Sequence, residues 1–181
     1  MAVDPKLIEH KRQKIMKHIF PITSVVTFLF ASPVLAQTAT AEFGVSLTIT
    51  AECTLSASDI TFPSTGIVDT QITATADLSV ECTNDSPFEI GLSGGTSGNT
   101  GARVLTNLDG DTVSYQLYQD NSYTTVWGDD DATTKSVESA TGSEEAHTIH
   151  AVVSSGQNVP TGTYTDAITA TIWYGSALPT E

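Results

Sequence analysis

The sequence predicts an all-β fold, an antiparallel β-sandwich. Three observations carry that expectation. Short runs recur in which large apolar residues alternate with small or polar ones, the period of an extended strand with one buried face. Glycine-, proline- and aspartate-rich turn signals separate these runs. Beyond the first 36 residues the chain is rich in Thr, Ser, Val, Ile, Gly and Asp, and has no long Leu/Glu/Lys-rich stretch to form a helix.

Residues 1–36 are set apart as an export signal. Lys6, Lys11, Arg12, Lys14 and Lys17 form a basic head, and Ile19 to Phe30 is a mostly apolar run of twelve residues. Val34-Leu35-Ala36 supplies a cleavage site after Ala36. The run is short for a membrane span. Met16-Lys17-His18 would make a normal start, which makes Met16 an alternative initiator.

The mature chain, Gln37 to Glu181, opens with a strand pattern. Phe43, Val45, Leu47 and Ile49 alternate with Gly44, Ser46, Thr48 and Thr50, so four large apolar side chains leave one face. Such a strand at the end of a secreted chain completes either its own sandwich or another molecule's. Asp59 to Phe62 is a short run ended by Pro63. Ala76 to Cys82 alternates and puts Leu78, Val80 and Cys82 on one face. Phe88, Ile90 and Leu92 alternate before Gly94-Gly95, and residues 96–101 make a polar, glycine-containing loop.

Arg103 to Leu105 resumes the strand pattern, and Asp109-Gly110 is a tight-turn signal. Val113, Tyr115 and Leu117 alternate, followed by Tyr123 to Trp127. Asp129 to Glu145 is acidic and turn-rich, with little to bury. Ile149, Ala151 and Val153 alternate. Asp166 to Tyr174 is the last strand, with Ile168, Ala170, Ile172 and Tyr174 on one face. The pattern is that of about eight short strands in a single domain of 145 residues, large enough for a real core.

Removing the signal leaves Arg103 and Lys135 against 19 acids, a formal charge of −17. So acidic a surface disfavours nucleic acid and anionic membranes as partners. Cys53 and Cys82, exported into an oxidising compartment, read as one disulfide. Two free thiols or a metal pair is the alternative, without a CxxC spacing or a nearby histidine to support it. His147 and His150 stand three apart in a strand pattern and so face opposite sides, which makes them structural rather than a metal pair. The acidic turns Asp109-Gly110-Asp111 and Asp129 to Asp131 lack the spacing of a helix–loop–helix calcium site and read as solvated turn residues. There is no Gly-x-Ser-x-Gly elbow, phosphate loop or dinucleotide fingerprint. The expectation is a non-enzyme with no cofactor.

Taken in order, the alternating N-terminal strand, Cys53, Ile60-Thr61-Phe62, Cys82 closing a strand, Gly94-Gly95, Arg103, Tyr115-Gln116-Leu117-Tyr118, Trp127-Gly128, Gly162-Thr163-Tyr164-Thr165-Asp166 and the terminal Ile-Thr-Ala-Thr-Ile-Trp-Tyr form a pattern. It resembles the spore coat protein U domain family, which includes the major subunits of archaic, Csu-type chaperone–usher pili. The chain departs from it in continuing past Tyr174 and in the acidity of residues 129–131.

The resemblance implies an incomplete immunoglobulin-like sandwich that lacks its last strand. A periplasmic chaperone fills the gap first, and the N-terminal strand of the next subunit then replaces it. Carried over by position, Phe43, Val45, Leu47 and Ile49 are the donor face, Cys53 and Cys82 the disulfide, and Ile168, Ala170, Ile172 and Tyr174 the border of the acceptor groove. Residues 37–52 then form an extension with the donor strand, and 53–181 the pilin sandwich. The implied role is a subunit of a fimbria polymerised by donor-strand exchange, supporting adhesion and biofilm formation. The implied partners are neighbouring copies, the chaperone and an outer-membrane usher. The implied route runs through the periplasm to the surface of a Gram-negative bacterium, without membrane insertion after signal cleavage. The competing readings are a minor or adaptor subunit and a self-complemented secreted binding module.

Overall fold

Eight strands pack as two antiparallel sheets in a computed structural model that describes residues 36–175. The expected export signal, apart from its last residue Ala36, falls on residues outside the described ones. The chain divides into two units, Met1–Val45 and Ser46–Glu181. The strands are β1 (Cys53–Ala57), β2 (Ile72–Cys82), β3 (Phe88–Leu92), β4 (Arg103–Thr106), β5 (Thr112–Tyr118), β6 (Lys135–Val137), β7 (Glu145–Val153) and β8 (Ala170–Tyr174). One sheet runs β1-β2-β7-β5-β4 and the other β6-β3-β8. Helix is confined to one short 3₁₀ turn, Gly95–Ser97, among the described residues.

The two-residue period sets the core. Leu78, Val80 and Cys82 of β2, Ile149, Ala151 and Val153 of β7, and Val113, Tyr115 and Leu117 of β5 are buried on one side of the larger sheet. Phe88, Ile90 and Leu92 of β3 close over them. The register places Leu78 opposite His147 and Thr75 opposite His150. His147 therefore faces the core and His150 the outside, since facing residues of a ladder share a face. Cys53 lies opposite Cys82, and the two are joined as a disulfide.

Several elements differ from the sequence pattern. Residues 59–62 and 43–49 form no ladder. Strand β1 begins at Cys53, where the sequence pattern gave no strand. The run 123–127 is not a strand: Tyr118 and Val126 make only an isolated bridge. Asp120 competes for its backbone, accepting from the amides of Ser122 (2.9 Å), Thr124 (3.3 Å) and Thr125 (2.8 Å). The Thr125 amide leads the bonds that pull the Asp120 carboxyl down to about 2, and Tyr123 is left with φ 56°. The acidic stretch 129–145 does bury something. It holds β6, a buried Ala140 and a buried Thr134. Ala140 exchanges backbone bonds with Asp85 (2.9 Å) and Ser86 (3.0 Å).

Trp127-Gly128 stitches the sheets together. The Trp127 amide donates to the Leu117 carbonyl of β5 at 2.9 Å, and the Leu92 amide of β3 donates to the Gly128 carbonyl at 2.8 Å. The indole Nε1–H reaches the Ile90 carbonyl at 2.9 Å, deep in the core. Arg103, also fully buried, ties the same region. Its guanidinium donates to the carbonyls of Ser93 (2.9 Å), Thr100 (3.2 Å), Leu92 (2.7 Å) and Trp127 (2.8 Å) and to Gln116 Oε1 (2.6 Å). Five bonds match its five N–H groups, which is what makes a buried guanidinium tolerable.

Candidate functional site

A cleft of about 900 Å³ opens between the two sheets. Its floor is Leu78, Leu117, Ile149 and Val153 of the larger sheet. Leu92, Ala170 and Ile168 form one wall, Ile60 and Phe62 the other, and Leu105, Val113, Tyr115, Tyr164 and Asp166 one end. Half of these are buried core residues and all the rest but Asp166 pack against that core, so the cleft reaches into the hydrophobic interior.

Two extended segments border it without a strand between them. One is the run through β8. Residues 164, 166, 168, 170, 172 and 174 are half-buried, and 165, 167, 169 and 171 are exposed. That alternation holds through residue 172 and ends at half-buried Trp173, while ladder pairing with β3 covers only Ala170–Tyr174. β8 is an edge of its sheet. In an antiparallel ladder alternate residues turn their N–H and C=O groups outward, so an edge strand presents a row of unpaired backbone groups.

The second border is residues 59–64. The Ser58 amide donates to the Asp77 carbonyl at 3.0 Å, and no further backbone–backbone bond involves residues 59–64 among the described residues. Ile60 and Phe62 nevertheless turn inward against the core, and the Phe62 ring meets Tyr115 edge-on at 6.5 Å. Pro63, with no N–H to offer, ends the run.

The polar end of the cleft is a carboxylate. Asp166 Oδ2 accepts the Tyr115 hydroxyl at 2.7 Å. Oδ1 accepts the Thr96 amide (2.8 Å), the Thr96 hydroxyl (2.7 Å) and the Ala167 amide (2.9 Å). Burial pushes this carboxyl up, but the bonds from Tyr115, Thr96 and Ala167 outweigh it and hold it below the usual carboxylate range. Burial, and then the bond to Asp166, pushes the Tyr115 hydroxyl well above the ordinary phenol value. Both shifts keep Asp166 ionised and Tyr115 protonated at neutral pH.

Of the residues picked out from sequence, Ile168, Ala170, Ile172 and Tyr174 share one half-buried face. Ile168 and Ala170 line the cleft, while Ile172 and Tyr174 pair with Ile90 and Phe88. Phe43, Val45, Leu47 and Ile49 are 86%, 87%, 86% and 75% exposed. Leu47 and Ile49 belong to the same unit as the sandwich and lie outside its core. The segment is anchored just beyond them, where Glu52 N donates to Thr83 Oγ1 at 3.1 Å and the Thr83 amide to the Glu52 carbonyl at 2.9 Å. The floor residues and the second border were not picked out as a site. The available signal was Ile60-Thr61-Phe62, a two-residue alternation too short to stand as a strand by itself.

Residues 39–171 match the Spore Coat Protein U domain, and the chain belongs to that family. No curated protein matches it in sequence. Among solved structures it is similar to a chain of the CsuC–CsuE chaperone–tip adhesion subunit pre-assembly complex from archaic chaperone–usher Csu pili of Acinetobacter baumannii. That likeness has a TM-score of 0.53 at 18% identity and covers 69% of this chain and 40% of that one. A chain of a chaperone–tip adhesin complex of CFA/I fimbriae aligns at a TM-score of 0.34 and 16% identity, over 66% of this chain and 39% of its own. This chain therefore spans well under two thirds of either neighbour's length.

Proposed function

We propose that the protein is a structural, non-catalytic subunit of an archaic chaperone–usher pilus, polymerised by donor-strand exchange. The observation that carries this is a pairing within one chain. An apolar cleft lies between an unladdered extended run, 59–64, and an edge run through β8 that is paired on one side alone, and the same chain has an alternating apolar segment with its large side chains in solvent. The donor is residues 43–49 of one copy and the acceptor is the cleft of the next.

A donated strand would satisfy the free backbone of β8 and cover the floor, which is β-strand addition. Four side chains this exposed would contribute at most ~6–12 kcal/mol on full burial. Ladder bonds would add ~0.5–1.5 kcal/mol each. Donor and acceptor are different surfaces, so the contact is head-to-tail and generates a fibre rather than a closed dimer. Before assembly the cleft is an aggregation hazard. A periplasmic chaperone covering it, with an outer-membrane usher as the assembly site, fits that need. The fibre on the surface of a Gram-negative cell would serve adhesion and biofilm formation. The exposure of Leu47 and Ile49 favours a donated strand over one folded back into its own sandwich.

Leu47→Asp tests the reading. The exported wild-type chain is expected to run as ladders that resist detergent at room temperature. The variant is expected to accumulate as single subunits, because a carboxylate cannot enter the apolar floor unpaired. Ladders of wild-type length from Leu47→Asp would refute the donor assignment. A wild-type chain that purifies as a stable monomer would favour the self-complemented module.

A further inference from the structure

The bordering run 164–169 is held in an extended shape by very little backbone. Thr165 exchanges two bonds with Thr106, at 2.8 and 3.0 Å, and Thr169 is held to Ser93, its carbonyl accepting from the Ser93 amide at 3.0 Å and its amide donating to Ser93 Oγ at 2.9 Å. Between these points its fixed groups converge on the side chain of Asp166, which takes four donors from three places: Tyr115 of β5, Thr96 of the 3₁₀ turn, and its own neighbour Ala167. The turn is shaped to receive that carboxylate. Gly95 sits at φ 60°, and a Cβ there would collide with the Asp166 carboxyl group. Glycine is thus needed twice over, for its backbone conformation and for the space.

Resting on the donor-strand reading, we propose that Asp166 is the positioning residue of the acceptor cleft. It fixes residues 164–169 as a preformed rail while no donor strand lies beside them. Once a donor strand is in place, its ladder bonds hold the rail and the carboxylate becomes largely redundant. Loss of Asp166 therefore slows capture of the donor far more than it weakens the finished joint. If the rail without its clamp is strand-ready about a tenth of the time, capture falls about tenfold.

The test uses the exported chain carrying Leu47→Asp, which prevents it from polymerising on itself, and a labelled synthetic peptide of residues 41–51 as donor. In that background Asp166→Ala is expected to slow peptide association ~10-fold and to change dissociation by less than ~3-fold. Asp166→Asn keeps an oxygen for Thr96 and lets the Tyr115 hydroxyl reverse its bond, so association should stay within ~3-fold of the parent. Unchanged association in Asp166→Ala, or an affinity loss carried by dissociation, overturns the proposal. Should Asp166→Ala fail to fold, Tyr115→Phe removes one of the four bonds, and the same slowing without faster dissociation is required of it. If the parent itself does not bind the peptide, the donor-strand reading fails. Hydrogen exchange then decides the rail separately. Amides of Thr165 and Thr169 should lose protection in Asp166→Ala while β2 and β7 keep theirs, and equal protection in both chains overturns the clamp.

Discussion

At Trp127-Gly128 the two sheets are stitched together; along residues 59–63 they are not, and along 164–169 only the Thr165–Thr106 pair joins backbone across them. Both regions face the same hydrophobic interior. At the stitched side the indole fills the space, its N–H is used, and Arg103 collects the remaining carbonyls. Volume and backbone are satisfied by the same few residues. At the open side the apolar floor is present, residues 59–64 have no ladder partner, and β8 is paired on one edge alone. The difference shows that the open side is not merely a badly packed version of the other. It has the alternation and the sheet edge that the proposed donor strand would use.

Substitutions on the two sides should separate folding from assembly. Trp127→Ala should destabilise the subunit by ~3–5 kcal/mol, the range for deleting a buried aromatic. Urea unfolding of the exported chain measures this. Ile168→Ala, on the open side, should cost much less in the same assay because its side chain is only half-buried, yet it should shorten the ladders formed in assembly. If the two variants lost similar stability and assembled alike, the open side would be ordinary core and the comparison would collapse.

The disulfide bears on the open side, because it ties β1 to β2 ahead of the run 58–64. Its sequence separation is 29 residues, for which the chain-entropy model gives roughly 3.5 kcal/mol. Cys53→Ser should therefore lower the periplasmic level of the subunit, read by immunoblot against a secreted control. Unchanged accumulation would mean that the loop containing Ile60 and Phe62 needs no covalent tether.

How much of this was legible in the sequence follows from what each element depends on. Strands β2, β3, β5 and β7 carry strong period-two patterns and were readable, because burial of one face is written residue by residue. The same holds for the face of Ile168, Ala170, Ile172 and Tyr174. β6 was not readable: a three-residue strand inside an acidic stretch earns its place by packing Val137 against the core and pairing with β3, which is tertiary information. The run 123–127 looked like a strand and is not, since Asp120 captures its amides locally. Arg103, Tyr115 and Asp166 stood in the sequence as members of a pattern, but their convergence depends on residues up to 70 positions apart in chain. Nothing local marks Asp166 as different from any other turn acid.

The smallest expected effect concerns the stitched side in acid. His147 faces the core beside the edge of Phe88, at 5.8 Å between ring centroids. Its Nε2 is buried without a hydrogen-bond partner. Burial, and then the nearby Lys135 charge, lowers its pKa, with Glu145 opposing. As pH falls below about 6.5, the unfolded chain takes up a proton that the native one refuses, so stability falls toward the depressed native value. Above that window the group contributes no pH dependence. The carboxylates with depressed values, Asp120, Glu145 and Asp166, lose their contribution at lower pH, as they protonate below the ordinary carboxylate range. Urea midpoints compared between pH 7.5 and pH 5 should thus drop for the parent and stay nearly level for His147→Gln. An equal drop in both would place the acid sensitivity elsewhere than at His147.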